Sequence, residues 1–124
     1  MRLVIVESPY AGDVNTNEEY ARDCLRDCLL RGEAPYASHL LYTQPGILDD
    51  TNPAERQWGI DAGLAWRHVA DLQVVYLDKG FSTGMAHGMR AGFDAGLEWQ
   101  LRRLDGNVTK ADHEMVERIL EEGQ

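Results

Sequence analysis

The run Leu72-Gln73-Val74-Val75-Tyr76-Leu77, followed at once by Asp78-Lys79-Gly80-Phe81-Ser82-Thr83-Gly84, constrains the fold more than any other part of the chain. A short β-branched apolar run closed by a loop of this composition reads as a central strand with a ligand-sized turn at its carboxyl end. A helix follows. Met85, Met89, Phe93 and Leu97 mark one side of it, and Gly84, Gly88, Gly92 and Gly96 recur at every fourth position. Each interior glycine costs a helix about 1 kcal/mol relative to alanine, so the stripe calls for close packing, on the sheet or on an identical helix.

The same alternation runs through the rest of the chain. Arg2-Leu3-Val4-Ile5-Val6 is a first strand, broken by Glu7-Ser8-Pro9-Tyr10-Ala11-Gly12-Asp13. Asn15, Thr16 and Asn17 offer caps for a helix whose core face carries Ala21, Cys24, Leu25, Cys28 and Leu29, and Gly32 ends it. Ala34 to Ser38 reads as a second strand and His39 to Asp50 as a connection. Asn52-Pro53 opens a helix to His68 or Val69, with Trp58, Ala62, Ala65 and Val69 as its apolar pattern. Glu98 to Leu104 gives a last strand, Asp105-Gly106-Asn107 a turn, and Thr109 with Asp112 caps a final helix carrying Met115, Val116, Ile119 and Leu120. Repeated strand-to-helix steps predict an α/β fold: a small Rossmann-like three-layer sandwich with a mostly parallel sheet, its strand-end loops converging on one edge. With 124 residues, residues 1–124 are expected to form a single domain burying roughly two-thirds of its surface.

Charge narrows the partners. Asp and Glu number 21 against 12 Lys and Arg, a net charge of -9, which argues against an extended nucleic-acid surface while leaving room for a small anionic ligand in one pocket. No run approaches the roughly 20 apolar residues of a membrane span, and no basic region precedes an apolar stretch at the start, so a cytoplasmic site is expected. Cys24 and Cys28 lie four apart on one helical face and read as buried thiols. The four histidines are scattered without metal-ligand spacing, so neither a metal nor another cofactor is expected. Trp58, Trp66 and Trp99 are sized to anchor the core or a subunit interface.

Four stretches point toward one cleft: Ser8-Pro9-Tyr10, His39 to Tyr42, Asp61, and Asp78 to Met85. Tyr10 can stack on a base or ribose, and Ser82 and Thr83 place hydroxyls beside the backbone donors of a helix start, with Gly84 and Met85 completing that turn. His39 suits a substrate oxygen or a proton transfer, and His87 lies close to the same loop. Asp78 sits at the end of the central strand and is either a sugar-facing carboxylate or a turn cap; Glu7 carries the same two readings.

In order, Val4-Ile5-Val6-Glu7-Ser8-Pro9-Tyr10-Ala11-Gly12, the acidic helix position before Ala70-Asp71-Leu72, and Tyr76-Leu77-Asp78 through Gly84-Met85-Ala86 resemble the nucleoside 2-deoxyribosyltransferase-like superfamily, which includes deoxynucleotide N-glycoside hydrolases. The resemblance spans most of Leu3 to Leu97 and is nearest to a short phage and bacterial branch. It implies a deoxynucleoside or deoxynucleoside monophosphate as ligand, assembly into homo-oligomers, and, for a phage-encoded chain, work in the host cytoplasm. Asp61 matches a position that orients the sugar or assists proton transfer. The family's nucleophilic glutamate, however, falls on Gly88, which bears no group able to attack an anomeric carbon. Asp61 and Asp78 are therefore the candidate catalytic acids, and Ser8, Tyr10, His39, Ser82, Thr83, Gly84, Met85 and His87 the candidate ligand contacts. Three functions follow: an N-glycosidic-bond hydrolase or deoxyribosyltransferase, a noncatalytic nucleotide or sugar-nucleotide binding protein, and an oligomeric scaffold.

Overall fold

The computed structural model describes residues 1–122. Its elements run β1 (Leu3–Glu7), α1 (Val14–Leu30), β2 (Ala34–Tyr36), α2 (Ser38–Leu41), α3 (Pro53–Trp66), β3 (Leu72–Tyr76), α4 (Thr83–Asp94), β4 (Glu98–Arg102) and α5 (Lys110–Glu122). The strands form one sheet in the order β2-β1-β3-β4, parallel at every pairing. This is the expected small Rossmann-like α/β sandwich. Side chains alternate across it: Val4, Val6, Leu72, Val74 and Tyr76 pack with Tyr20, Ala21, Cys24 and Cys28 of α1, while Val75 packs with Met85 and Met89 of α4 and Val116 of α5. The two cysteines are free and buried.

The glycine stripe has a local explanation. The alternation that sends Val4 and Val6 to α1 sends Glu7 of β1 and Gln73 of β3 toward α4, where Gly88 and Gly92 lie against them. Four helical residues advance about 6 Å and two strand residues about 6.6 Å, so glycines four apart keep step with alternate strand positions. Gln73 is fully buried, and its side chain occupies the space a Cβ on Gly92 would need. Its amide donates to the Met89 carbonyl at 3.1 Å. Gly92→Ala is expected to lower stability by about 1 to 3 kcal/mol, because Gln73 has nowhere to retreat; a denaturation midpoint measured against wild type checks it.

Several boundaries differ from expectation. The second strand ends at Tyr36, and Ser38 opens the short helix α2 instead of closing the strand. The last strand ends at Arg102, because the N–H groups of Leu104 and Asp105 turn away to donate to the Asp78 carboxylate. Gly96 lies beyond α4 with φ near +80°, outside the helical stripe. The inward face of α3 is also not the expected one: Trp58 is 67% exposed, Ala65 and Val69 are exposed too, and Gly59, Ile60, Gly63, Leu64 and Arg67 turn inward instead. On that face Gly63 admits Ser38, whose side chain lies 2.7 to 2.9 Å from where a Cβ would stand, and Gly59 packs against Leu48 and Tyr42. Among the described residues no helix is long and apolar enough to cross a membrane.

Candidate functional site

A cavity of about 720 Å³ opens beyond the carboxyl ends of β1 and β3, between the inward face of α3 and the start of α4. In a parallel α/β sheet these strand ends carry the loops that diverge in opposite directions, leaving a crevice. Ser8 and Tyr10 enter it from the loop after β1, His39 from α2, and Ser82, Thr83, Gly84, Met85 and His87 from the start of α4. All eight candidate ligand contacts thus line one cavity. Asp61 and Asp78 do not. Asp61 is exposed on α3 away from the 56, 59, 60, 64 and 67 positions that face the cavity, and its carboxylate accepts from the Gln57 amide at 2.8 Å.

Asp78 works as a turn anchor. Its carboxylate accepts the Tyr20 hydroxyl at 2.6 Å and the backbone N–H groups of Leu104 and Asp105 at 3.0 to 3.1 Å. Burial would raise its pKa, but the Asp105 side chain, the Tyr20 hydroxyl and the two N–H groups outweigh that and hold it at about 2. The stabilisation is therefore present above the ordinary carboxyl pKa of 3.8 and lost as pH falls through about 2. Asp78→Asn is expected to cost about 2 to 4 kcal/mol at neutral pH, measured by chemical denaturation, and to flatten stability between about pH 4 and 2. An unchanged midpoint would refute the anchoring role.

A buried carboxylate does reach the cavity: Glu7, the last residue of β1. One of its oxygens, Oε1, pairs with Nη2 of Arg67. Arg67 is itself fixed, donating from Nε to the Gly88 carbonyl at 3.0 Å and from Nη1 to the Gly63 carbonyl at 2.7 Å. Both side chains are at least 90% buried. The second Glu7 oxygen, Oε2, makes no protein hydrogen bond among the described residues and is not sealed from the cavity. Burial pushes the carboxyl up to about 7, against the downward pull of the Arg67 charge and its hydrogen bond.

Gly88 makes this arrangement possible. A Cβ there would meet Glu7 Oε1, the Glu7 carboxyl carbon at 2.8 Å and Arg67 Nη2 at 2.8 Å. The space beside Gly88 on α4 is therefore filled by a carboxylate arriving from β1. Sequence reading left Glu7 unresolved and overlooked Arg67. The available signal was an arginine on one helical stripe with Gly59 and Gly63, a charge where a core side chain belongs.

Beside Glu7, Ser8 Oγ and His39 Nε2 are 2.6 Å apart. Burial, and then the Arg67 charge, lower the His39 pKa to about 4, so at neutral pH the ring is uncharged and exchanges one hydrogen bond with Ser8. At the cavity mouth the Ser82 hydroxyl caps α4 by accepting from Met85 N–H at 3.2 Å, and Ser82 N–H faces Met85 Sδ at 3.4 Å. Tyr42, Asp50, Glu55 and Arg56 complete the far wall. No group of three metal-ligating side chains occurs among the described residues.

Comparison with known proteins agrees with the fold. The chain superposes on a 2-deoxyribosyltransferase from the psychrotolerant bacterium Bacillus psychrosaccharolyticus with a TM-score of 0.62, at 16% identity, over 91% of this chain and 81% of that one. A 2-desoxiribosyltransferase from Leishmania mexicana gives a TM-score of 0.57 at 11% identity, over 85% of this chain and 66% of that one. These likenesses establish a distant structural relationship at the level of the fold. No curated protein matches the chain. A family described as a domain of unknown function, DUF7768, matches residues 2–102, and the chain belongs to that family.

Proposed function

We propose that this member of the DUF7768 family cleaves the N-glycosidic bond of a deoxynucleoside or its monophosphate, with Glu7 as the carboxylate acting at the anomeric carbon. The observation that carries the reading is the division of labour within one buried carboxyl group. Arg67 holds Oε1 in the space vacated at Gly88, and Oε2 is left without a protein partner among the described residues on a side chain that lines the cavity. The fold-level likeness to two deoxyribosyltransferases supports the choice of ligand class.

In this reading Oε2 of the ionised Glu7 bonds to the anomeric carbon as the carbon–nitrogen bond breaks. The base leaves with the bonding electron pair and takes up a proton from solvent, which the incoming water or second base later returns, and a glycosyl ester remains on Glu7. Water, or a second base, then displaces the ester, restoring the carboxylate and giving hydrolysis or transfer. Arg67 fixes the direction from which Oε2 approaches, and the uncharged Ser8 and His39 pair offers a hydrogen bond to sugar or base. No step is assigned to Asp61 or Asp78.

A second reading, a binding protein that leaves its ligand intact, is favoured by Gly88 itself, since the helix position expected to attack has no side chain. Incubation with deoxynucleosides, their monophosphates and signalling nucleotides, with released base resolved from intact ligand, separates the two. Base release is the expected result. Tight binding with full recovery of intact ligand would decide for sequestration, and absence of binding to every compound would overturn both readings.

A further inference from the structure

The charges lining the cavity are unevenly committed. Its carboxylates are Glu7, Asp50 and Glu55, and its guanidinium groups are Arg56 and Arg67. Glu7 and Arg67 form a closed pair, with the remaining Arg67 nitrogens spent on the Gly63 and Gly88 carbonyls. That leaves Asp50 and Glu55 against Arg56, whose Nε stands 4.0 Å from Asp50 Oδ1. Glu55 sits over the loop before α3, one oxygen 3.4 Å from Asp49 N–H. His39 adds no charge at neutral pH, and the α4 start has its Ser82 hydroxyl already used as a cap. A phosphate held at the α3 side of this cavity would meet two carboxylates and one partnered arginine, away from the N–H groups that open α4, whereas a free sugar hydroxyl there would meet acceptors suited to it.

We propose that Asp50 and Glu55 make the cavity selective for an uncharged nucleoside, reading a free sugar hydroxyl and repelling the same compound once it carries a 5′-phosphate. This rests on the site assignment above and narrows its two substrate classes to one. Asp50 and Glu55 are specificity determinants, apart from the Glu7 chemistry.

The test compares one deoxynucleoside with its 5′-monophosphate at pH 8, by calorimetric Kd and by base release, so that binding preference is read even if turnover is absent. At least a tenfold preference for the nucleoside is expected. In the wild-type protein the preference should shrink as salt rises from about 0.01 M to about 1 M, which shortens the screening length from about 30 Å to about 3 Å. Asp50→Asn and Glu55→Gln, made singly, should each reduce the ratio by improving monophosphate binding. Equal or tighter binding of the monophosphate would overturn the proposal, as would a ratio indifferent both to salt and to the two substitutions. Preference for the nucleoside without base release would retain the selectivity and remove the proposed reaction; failure of both compounds to bind would remove both.

Discussion

Glu7→Gln is expected to lower base release by at least about 10³-fold, because the substitution removes the group proposed to attack the anomeric carbon and preserves its shape. The amide oxygen can still accept from Arg67 and the amide stands in for the neutral carboxyl that burial favours, but the guanidinium loses its counter-charge, so stability shifts along with rate. Glu7→Asp guards against that ambiguity. It keeps the charge and retracts it by one methylene, and it should fold while losing rate through misplacement alone. The pH dependence supplies a further readout. With the carboxyl raised to about 7, the attacking ionised form grows in as pH rises, and kcat/KM should climb from about pH 5 and level off above about 7. Stability runs the opposite way. A carboxyl raised in the folded state contributes stability fully present below its ordinary value of 4.5 and lost as pH rises through about 7, and Glu7→Gln should abolish that slope. Base release in Glu7→Gln within tenfold of wild type would remove Glu7 from the chemistry.

Sequence alone located the cavity but not the buried carboxylate on its wall. The architecture was legible because it follows from local patterns: the Leu72 to Leu77 run, the capped helices and the strand-to-helix alternation specify a parallel sheet, and the strand-end loops then converge. The eight ligand-contact candidates lie on those loops or on the first turns of the helices that follow them, so they arrive in one cavity together. Glu7 and Arg67 belong to a different kind of information. They are 60 positions apart, and their meeting depends on three conditions together: the strand alternation aiming Glu7 at α4, a glycine at 88, and a helix α3 turned so that Arg67 faces inward. The apolar pattern of α3 misled on the last point, since Trp58 and Val69 satisfy a helical period yet remain in solvent. Asp78 misled for the converse reason. Its place after the central strand is right for a ligand, but Tyr20 of α1 and two N–H groups beyond β4 use its oxygens, and nothing in local sequence marks those partners.

Gly88→Glu is expected to be the most damaging single substitution in the chain, and its rescue would be the most informative result. The new side chain would enter the volume of the Glu7 and Arg67 pair, placing two carboxylates on one guanidinium in a buried site. Overpacking and an unpaired buried charge each carry costs of several kcal/mol, so a loss of more than about 4 kcal/mol, or no folded protein, is expected from thermal denaturation. Combining Gly88→Glu with Glu7→Ala removes the Glu7 carboxyl from that volume, leaves Arg67 to pair with the new side chain, and delivers the carboxylate from α4 instead of β1, the origin the deoxyribosyltransferase resemblance implies. The pair should be strongly non-additive: the double variant should be more stable than Gly88→Glu and should release base at least about tenfold faster than Glu7→Ala, a coupling near 1.4 kcal/mol or more. If the double variant is no better than the sum of the singles, the strand carboxylate and the helix position are unrelated. If rescue is seen, one site accepts its carboxylate from either of two backbone origins, and Gly88 is the space that lets Glu7 supply it.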